Sequence, residues 1–412
     1  MPPLFKIFAI SFLICLSAPA VAQQAVMVNR EIDPFNVFRG LLLSPEDSVY
    51  PKNGEGSLIR LKDGRLLHMV SRHMQGTGGS DFWPAIIAQM YSSDNGITWT
   101  KPTVVFSHSK GVRTCMQPSL VRLSNGELGV AYSKYDSPQS AVKVFRYSKD
   151  EGNTWSSEIL MSPSDGYFSG AHHRALVLSG GRIIFPLHTK IGNEKDGPIK
   201  IFTRITYSDD QGRTWKMSQQ VVGTNDVASS YQNNKGRAAV FAEATVAELP
   251  DGDVVMLART IAGYLYYTVS KDKGITWADT RPTNLVSPAS SLNLVKLPDS
   301  NHLMVVWQSC CMVGEKGAGK RLSLSSAISE DGGKTWNWPR ELVNVSNHDG
   351  NVQYPTITVD GTNVMITYRA VKNAYLPRWV MEEHLLVYPL EWFYAEKNYN
   401  GLTLQKTVLS GK

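Results

Sequence analysis

Long apolar runs are scarce in this chain of 412 residues, and blocks of like charge are absent. Beyond the N-terminus, no segment approaches the roughly 18 uninterrupted apolar residues that a membrane-spanning helix needs. Lysine and arginine exceed aspartate and glutamate by only six, and they form no basic run. The sequence therefore predicts no membrane span and argues against nucleic acid as a partner.

Cysteine is scarce as well. Outside the N-terminal segment only Cys115, Cys310 and Cys311 remain, with no CxxC pair and no zinc-like spacing. Because three is an odd number, a complete disulfide framework is excluded; one bridge to Cys115 and three free thiols both stay open. His172-His173 lacks a third ligand at suitable spacing, so we expect no metal and no other cofactor.

The one concentrated apolar run lies at the N-terminus and reads as an export signal. Lys6 supplies a positive charge, residues 7–16 are apolar, and Ala20-Val21-Ala22 is a small-x-small cleavage site. We expect cleavage near Ala22, export to the periplasm or the medium, and a single domain over residues 23–412 that acts as a monomer.

An internal repeat decides the predicted architecture. One octapeptide occurs five times: SSDNGITW at 92–99, SKDEGNTW at 148–155, SDDQGRTW at 208–215, SKDKGITW at 270–277 and SEDGGKTW at 329–336. Serine and aspartate accept turn N–H groups, glycine takes the left-handed position, and tryptophan restarts the strand with a ring to bury. We read these segments as structural hairpin tips without a catalytic part.

Six strand–turn–strand units accompany these octapeptides along the chain. They read RLKDGRLLHMV, RLSNGELGVAY, VLSGGRIIFPL, ELPDGDVVMLA, KLPDSNHLMVVW and TVDGTNVMITY. Six units of about 60 residues each predict an all-β protein, a six-bladed β-propeller with four strands per blade. The aromatic segment 379–394 is expected to close the last blade together with the N-terminal strand.

The unit FAEATVAELPDGDVVMLART at 241–260 carries an acid and a base at its two ends. Folding back at Asp251-Gly252 brings Glu243 and Arg259 to the same edge of a small sheet. Spacing alone is compatible with a plain cross-strand ion pair.

The octapeptides resemble the Asp-boxes of the sialidase (neuraminidase) superfamily, and the resemblance covers nearly the whole chain after the export signal. That family also has a glutamate before an ELPDG turn and an arginine at the end of the returning strand. The resemblance implies that Glu243 pairs with a tyrosine nucleophile. It implies that Arg259 is one of three arginines that bind the substrate carboxylate.

Further positions follow from the same resemblance. Arg321 in GKRLSLSSAISEDGG matches a second arginine, and Tyr354 in NVQYPTITVDG matches the nucleophile. Asp81 in QGTGGSDFWP matches the acid/base, and Arg72 matches an arginine that supports the site. Without the resemblance, Arg321 is a surface residue at a strand end, Tyr354 a packing residue and Asp81 part of a turn.

The negative charge of a sialic acid explains why tyrosine, glutamate and arginine suit such a site. A sialic acid carries a carboxylate on its anomeric carbon, which would repel an anionic nucleophile. A tyrosine hydroxyl that loses its proton to a neighbouring glutamate during attack avoids that repulsion. Arginine binds a carboxylate through two parallel hydrogen bonds.

One departure from the family pattern is visible. Where the family has its first arginine, this chain has Gly54 or Glu55 in NGEGSLIRLKDG, and where the family has a supporting glutamate, this chain has Arg369. We expect Glu55 and Arg369 to face each other, with Arg369 offering the lost positive charge. The alternative is a site with two arginines and an ordinary Arg369 at a strand end.

Polar residues before the second and third units are candidate substrate contacts, because strand starts line the centre of a propeller. They are Arg113, Gln117, His172, His173 and Arg174. The sequence as a whole predicts a retaining exo-glycosidase for a terminal carboxylated sugar of a glycan, with sialic acid first. A hydrolase of another nonulosonic acid or a uronate, and a glycan-binding propeller without catalysis, are the alternatives.

Overall fold

The computed structural model describes residues 41–44, 48–74, 84–107, 114–191, 199–224, 237–298, 300–309, 321–345, 350–372 and 380–394. Over these ranges the chain is all-β, as predicted, with a single 3-10 turn at Leu390–Phe393. None of the described segments is a helix long and apolar enough to cross a bilayer. The predicted export signal, residues 1–22, lies outside the described residues.

The strands follow one another as six antiparallel meanders. The first contains β2 (Lys52–Arg60), β3 (Leu66–His73), β4 (Ala85–Ser92) and β5 (Thr103–Phe106), and the second contains β6 (Thr114–Arg122), β7 (Leu128–Ser137), β8 (Ser140–Ser148) and β9 (Ile159–Leu160). In the third, the short β10 (Phe168–Ser169) and β11 (Leu176–Val177) both pair with β12 (Ile183–Ile191), which is followed by β13 (Ile199–Ser208) and β14 (Lys216–Met217).

The second half of the chain repeats the pattern three times. The fourth meander contains β15 (Arg237–Glu248), β16 (Val254–Thr260), β17 (Tyr264–Ser270) and β18 (Arg281–Val286), and the fifth contains β19 (Asn293–Lys296), β20 (Leu303–Gln308), β21 (Ser323–Ser329) and β22 (Asn337–Asn344). The sixth contains β23 (Asn351–Asp360), β24 (Asn363–Lys372) and β25 (Val380–Pro389), and it is completed by β1 (Leu41–Ser44). Because β1 pairs antiparallel with β25, the predicted closure of the last sheet by the N-terminal strand is confirmed.

The Asp-box hydrogen bonds have the predicted form. In the first box Ser92 Oγ accepts the Gly96 N–H at 2.8 Å, and the Asp94 carboxylate accepts both the Thr98 N–H at 2.8 Å and its hydroxyl at 2.5 Å. The other four boxes repeat this network with nearly the same distances. The network is local to each box, so these aspartates act in turn formation.

Apolar side chains are gathered into six main clusters, one at each contact between neighbouring meanders. Representative pairs are Leu67 with Val130, Phe145 with Phe185, Ile184 with Val246, Val255 with Val305, Leu324 with Ile366, and Leu385 with Leu66. The last pair joins the sixth meander to the first. Burial between sheets, rather than within one central core, therefore holds the chain together.

Side chains also join the first strand of one meander to the next. The bonds run from Leu120 N–H to Ser57 Oγ (2.9 Å), Arg174 N–H to Ser119 Oγ (2.8 Å), Leu294 N–H to Thr245 Oγ1 (3.2 Å), Ile357 N–H to Asn293 Oδ1 (2.9 Å) and Thr358 Oγ1 to Leu58 O (3.1 Å). The last bond again links the sixth meander with the first.

Cys115 lies buried in β6 as a free thiol, and burial raises its pKa to about 12. Cys310 and Cys311 lie outside the described residues. For Cys115 the structure thus favours the free thiol among the two possibilities that the sequence left open.

Candidate active site

The first strands of five meanders each carry a residue with left-handed backbone conformation at a corresponding place. Four of these residues lie beside an irregularity in strand pairing, and His173 lies in the break between β10 and β11. These residues are Glu55 (φ 58°), Gln117 (φ 61°), His173 (φ 52°), Glu243 (φ 48°) and Tyr354 (φ 56°). A left-handed non-glycine residue costs about 1–3 kcal/mol, and such residues often cluster at functional sites. The recurrence of this conformation at the pairing irregularities marks these five positions as the candidate site.

Tyr354 and Glu243 meet at this site. Tyr354 Oη lies 3.5 Å from Glu243 Oε1, at the long limit of a hydrogen bond, and Arg259 Nη2 lies 3.1 Å from the same oxygen. The hairpin of β15 and β16 places Ala242 opposite Arg259 and so brings the neighbouring Glu243 close to Arg259. The predicted proximity of Glu243 and Arg259 is confirmed. A long contact of this kind is common for catalytic groups without a ligand.

The two acids of this pair have shifted pKa values. Burial, together with the charges of Glu243 and Glu55, raises the pKa of Tyr354 to about 12. Burial alone would raise the pKa of Glu243. The positive charge of Arg259 outweighs that effect, together with the more distant His188, Arg321 and Arg174, so the pKa of Glu243 is lowered. At neutral pH the site therefore holds a neutral phenol beside a carboxylate.

Two further arginines lie over the ring of Tyr354. The Arg369 guanidinium is 4.4 Å from the ring centroid and that of Arg321 is 5.5 Å away. Arg321 also donates to Gln353 Oε1 and, at 3.3 Å, to the carbonyl of Ala289. The structure brings Arg259, Arg321 and Arg369 together around Tyr354.

The predicted facing of Glu55 and Arg369 is confirmed. Arg369 Nη1 lies 2.7 Å from Glu55 Oε1, and the two side chains are 5% and 2% exposed. The pair joins β2 of the first meander to β24 of the sixth. Among these side chains, three guanidiniums and two carboxylates give an excess of one positive charge, which suits an anionic ligand.

Arg72 and His173 lie beside this centre. Arg72 donates to Asn53 Oδ1 at 2.7 Å and stacks on Tyr50. His173 bonds Ser57 Oγ through Nδ1 at 2.8 Å and the Ile357 carbonyl through Nε2 at 3.0 Å. Because both ring nitrogens are engaged within the chain, His173 joins the meanders, which differs from the substrate contact predicted for it.

Asp81 and Arg113, which the sequence predicts as acid/base and substrate contact, lie outside the described residues. Within the described ranges, no cluster of three histidine, cysteine, aspartate or glutamate side chains has an arrangement that would hold a metal. A cleft of about 600 Å³ opens at the other end of the β15–β16 hairpin, beside Asp251 and Asp331, and is remote from Tyr354.

Sequence reasoning missed three buried ionisable residues near the centre. Lys143 is fully buried and donates to the carbonyl of Gln117. The charges of Glu55 and Arg369 act on the pKa of Glu383, and the charge of Glu243 acts on that of His188. Lys143 lies between apolar residues of β8, His188 follows the apolar run of β12, and Glu383 lies between Glu382 and His384 in β25. An ionisable residue beside apolar residues of a strand was the available signal for Lys143 and His188.

These features define an all-β repeat protein with a buried tyrosine, glutamate and arginine centre. A family model described as BNR repeat-like domain matches residues 86–366, about two thirds of the sequence. The chain belongs to this family, within the sialidase-like BNR superfamily.

Relatives and structural neighbours are consistent with that family. The chain is 28% identical over 173 residues to a sialidase of Clostridium perfringens, covering 39% of this chain and 40% of that protein. It is 27% identical over 248 residues to a sialidase of Paraclostridium sordellii, covering 54% and 56%. The chain thus spans about half the length of the relatives it matches. The intramolecular trans-sialidase of Ruminococcus gnavus superposes with a TM-score of 0.66 at 14% identity, covering 87% of this chain and 98% of that one, which shows a shared fold.

Proposed function

We propose that the six meanders are the blades of a closed β-propeller and that the candidate site lies at its centre. Two observations support closure. An apolar cluster joins the sixth meander to the first, and Thr358 bonds the carbonyl of Leu58 across the same contact. The left-handed residues of the first strands would then converge on one axis.

We infer that the chain is an exported retaining exo-glycosidase that removes a terminal carboxylated sugar, sialic acid first, from a glycan. The observation that carries this proposal is the contact of Tyr354 Oη with Glu243 Oε1 at 3.5 Å, with Arg259 on the same carboxylate. A pure glycan-binding protein has no need of a phenol beside a buried carboxylate. The names of the two relatives, both sialidases, support the same class.

In the proposed reaction Tyr354 Oη attacks the anomeric carbon while the bond to the leaving sugar breaks. Glu243 takes the phenolic proton, and Asp81, assigned from the sequence, gives a proton to the departing oxygen. In the second step Asp81 takes a proton from water, which displaces Tyr354 from the anomeric carbon, and Glu243 returns the proton to the phenolate. Two displacements retain the configuration of the anomeric carbon.

Arg259 and Arg321 would hold the substrate carboxylate. The Arg259 side chain is 15% exposed, and Arg321 lies near the Tyr354 ring. Arg369 would add a third positive charge that Glu55 partly neutralises. This partial neutralisation favours, as the second candidate, another nonulosonic acid or a uronate whose carboxylate sits differently against the arginines.

The test is release of 4-methylumbelliferone from its N-acetylneuraminic acid glycoside by the wild type and by Tyr354→Phe. We expect turnover by the wild type and a loss of at least about a hundredfold in the variant, because the nucleophilic oxygen is gone. Tyr264→Phe, at a 43% exposed tyrosine, is the matched control. No turnover of this glycoside by folded wild type would contradict the sialic acid assignment, and uronate and other nonulosonate glycosides would be assayed next.

A further inference from the structure

Gln117 occupies, in β6, the same left-handed place that Glu55, Glu243 and Tyr354 occupy in their strands. Its backbone N–H donates to Ser71 Oγ at 2.9 Å, and Ser71 Oγ in turn lies 3.5 Å from the carbonyl of Glu55. Gln117 is therefore the neighbour of Glu55 around the site. It is 6% exposed, close to the values of Glu243 and Tyr354.

The side-chain oxygen of Gln117 lies among three hydroxyl groups. Gln117 Oε1 lies 3.0 Å from Ser133 Oγ, 3.0 Å from Tyr135 Oη and 3.3 Å from Ser169 Oγ. Within the described residues, Gln117 Nε2 donates no hydrogen bond. The amide thus has one end surrounded by hydroxyl groups and the other end turned away from them.

Lys143 fixes which end of the amide faces the hydroxyls. Its Nζ lies 3.1 Å from Ser133 Oγ and also contacts the carbonyls of Gln117 at 3.2 Å and Gly170 at 3.1 Å, above the ring of Phe185. In its protonated form Lys143 only donates, so Ser133 Oγ accepts from Lys143 and has its one proton left for Gln117. That proton needs an acceptor, which is Oε1 and not the NH₂ group.

Opposing effects act on the pKa of Lys143. Burial lowers the pKa of Lys143 well below 10.5, and Arg174 acts in the same direction, whereas the charge of Glu55 raises it. Three oxygen acceptors, one for each N–H, and the face of an aromatic ring oppose the effect of burial.

We propose that Gln117 presents both amide N–H groups to the substrate site and donates to a neutral oxygen acceptor of the sugar, either an acyl carbonyl or a hydroxyl oxygen. Gln117 is then a specificity-determining residue, and Lys143 is a positioning residue that fixes the amide through Ser133. The identity of the ligand rests on the proposed function. The orientation of the amide does not.

The orientation is tested in the free protein, labelled with ¹⁵N at the glutamine side chains, by measuring amide proton exchange with water. Loss of a signal in Gln117→Met assigns Gln117. Gln308, whose NH₂ group donates to the buried carbonyl of Val352, is the internal control. We expect faster exchange at Gln117 than at Gln308, and slow, protected Gln117 protons would overturn the proposal. Ser133→Ala, which removes the hydroxyl that Lys143 directs, is expected to give a second set of Gln117 signals.

The ligand contact is tested by kcat/KM of Gln117→Met on two 4-methylumbelliferyl glycosides, one of N-acetylneuraminic acid and one of its deaminated analogue with a hydroxyl in place of the acetamido group. The loss of one donated bond is expected to cost about tenfold. A loss with the first glycoside alone identifies the acyl carbonyl as the acceptor, and a loss with both identifies a hydroxyl oxygen. Gln139→Met, at an exposed glutamine, is the control.

Equal kcat/KM for Gln117→Met and wild type on both glycosides would overturn the substrate contact. Failure of the wild type on both would instead contradict the proposed function, and the exchange measurement would still decide the orientation of the amide.

Discussion

Gly54 packs directly against the stem of Arg369. A Cβ on Gly54 would lie 2.5 Å from Arg369 Cδ and 2.8 Å from Cγ, and the φ of Gly54 is +148°. Only glycine leaves room for Arg369 to lie flat between Glu55 and the Tyr354 ring. The glycine is therefore part of the arrangement in which Arg369 faces Glu55.

Gly54→Ala is expected to destabilise the protein by about 1–3 kcal/mol, because the new methyl group overpacks the site and the backbone conformation disfavours a side chain. The variant should also lower turnover, since Arg369 would move away from the ring of Tyr354, the proposed nucleophile. The measurement is the urea midpoint together with glycoside hydrolysis. Gly180→Ala is the control, because its Cβ would meet only Lys273 Nζ at 3.5 Å. Equal effects of the two substitutions would contradict the packing argument.

The Glu55–Arg369 pair gives a second prediction, tested by a double-mutant cycle with Glu55→Gln, Arg369→Met and both together. Each single change leaves a buried charge without its partner and is expected to cost about 3–5 kcal/mol in the free energy of unfolding. The double variant should cost clearly less than the sum of the two. Urea denaturation measures all three.

The exposed pair Lys271–Asp253, whose lysine side chain is 79% exposed, is the matched control for that cycle. There the coupling is expected to be much smaller than at the buried pair, because solvent screens exposed charges. Strict additivity at Glu55 and Arg369 would show that the buried ion pair does not couple them.

Much of this fold could be predicted from the sequence, because its determinants are local. Each Asp-box forms its turn from bonds between residues two to four apart, as with Ser92 and Asp94, so the pattern can be recognised in eight letters. The β15–β16 hairpin is similarly local, which is why Glu243 and Arg259 could be expected to meet. The facing of Glu55 and Arg369 followed from comparing two departures from one family pattern.

What the sequence did not reveal depends on contacts between distant parts of the chain. The Gly56 N–H bonds Glu383 across 327 positions, and His173 joins Ser57 to the Ile357 carbonyl. A histidine at a strand start gives no hint that both of its nitrogens are engaged in such contacts. One usable signal was present: a small polar residue recurs two places after the left-handed position, as in Ser57, Ser119 and Thr245, and these residues join neighbouring strands.

Glu383 predicts how stability depends on pH. Burial raises its pKa to about 8, against the lowering effects of the Gly56 N–H, Thr367 and Arg369. His68 Nε2 is 3.9 Å away but cannot supply a charge, because burial lowers its own pKa to about 3. Between pH 4.5 and 8 the folded protein therefore holds one proton more at this site than the unfolded chain.

The sign follows from that extra proton. The contribution of Glu383 to stability is fully present below pH 4.5 and is lost as the pH rises to 8, by up to ~1.4 kcal/mol per pH unit. Glu383→Gln should remove this slope and be more stable than the wild type at pH 8.5 in urea denaturation. The exposed Glu391→Gln is the control. A slope that persists in Glu383→Gln would assign it to another group.

Glu243 gives the prediction that bears most directly on the mechanism. If Glu243 takes the proton of Tyr354, turnover needs the carboxylate form of Glu243. The acid limb of kcat/KM should then lie below pH 4.5, because the pKa of Glu243 is lowered from that value. Arg259 is the strongest of the charges that lower it, and it is in direct contact at 3.1 Å. In Arg259→Met, burial should therefore raise the pKa of Glu243, and the acid limb of the kcat/KM profile should move to higher pH.

Arg321→Met is the matched control for this shift. Both arginines would bind the substrate carboxylate, so both variants should raise KM, but Arg321 acts on Glu243 from farther away and should move the acid limb less. The pH of the acid limb separates an effect on the pKa of Glu243 from a loss of substrate binding. It can be read even when activity is low, since it does not depend on the size of kcat/KM. An identical limb in wild type and Arg259→Met would mean that Glu243 is not the group whose ionisation controls turnover.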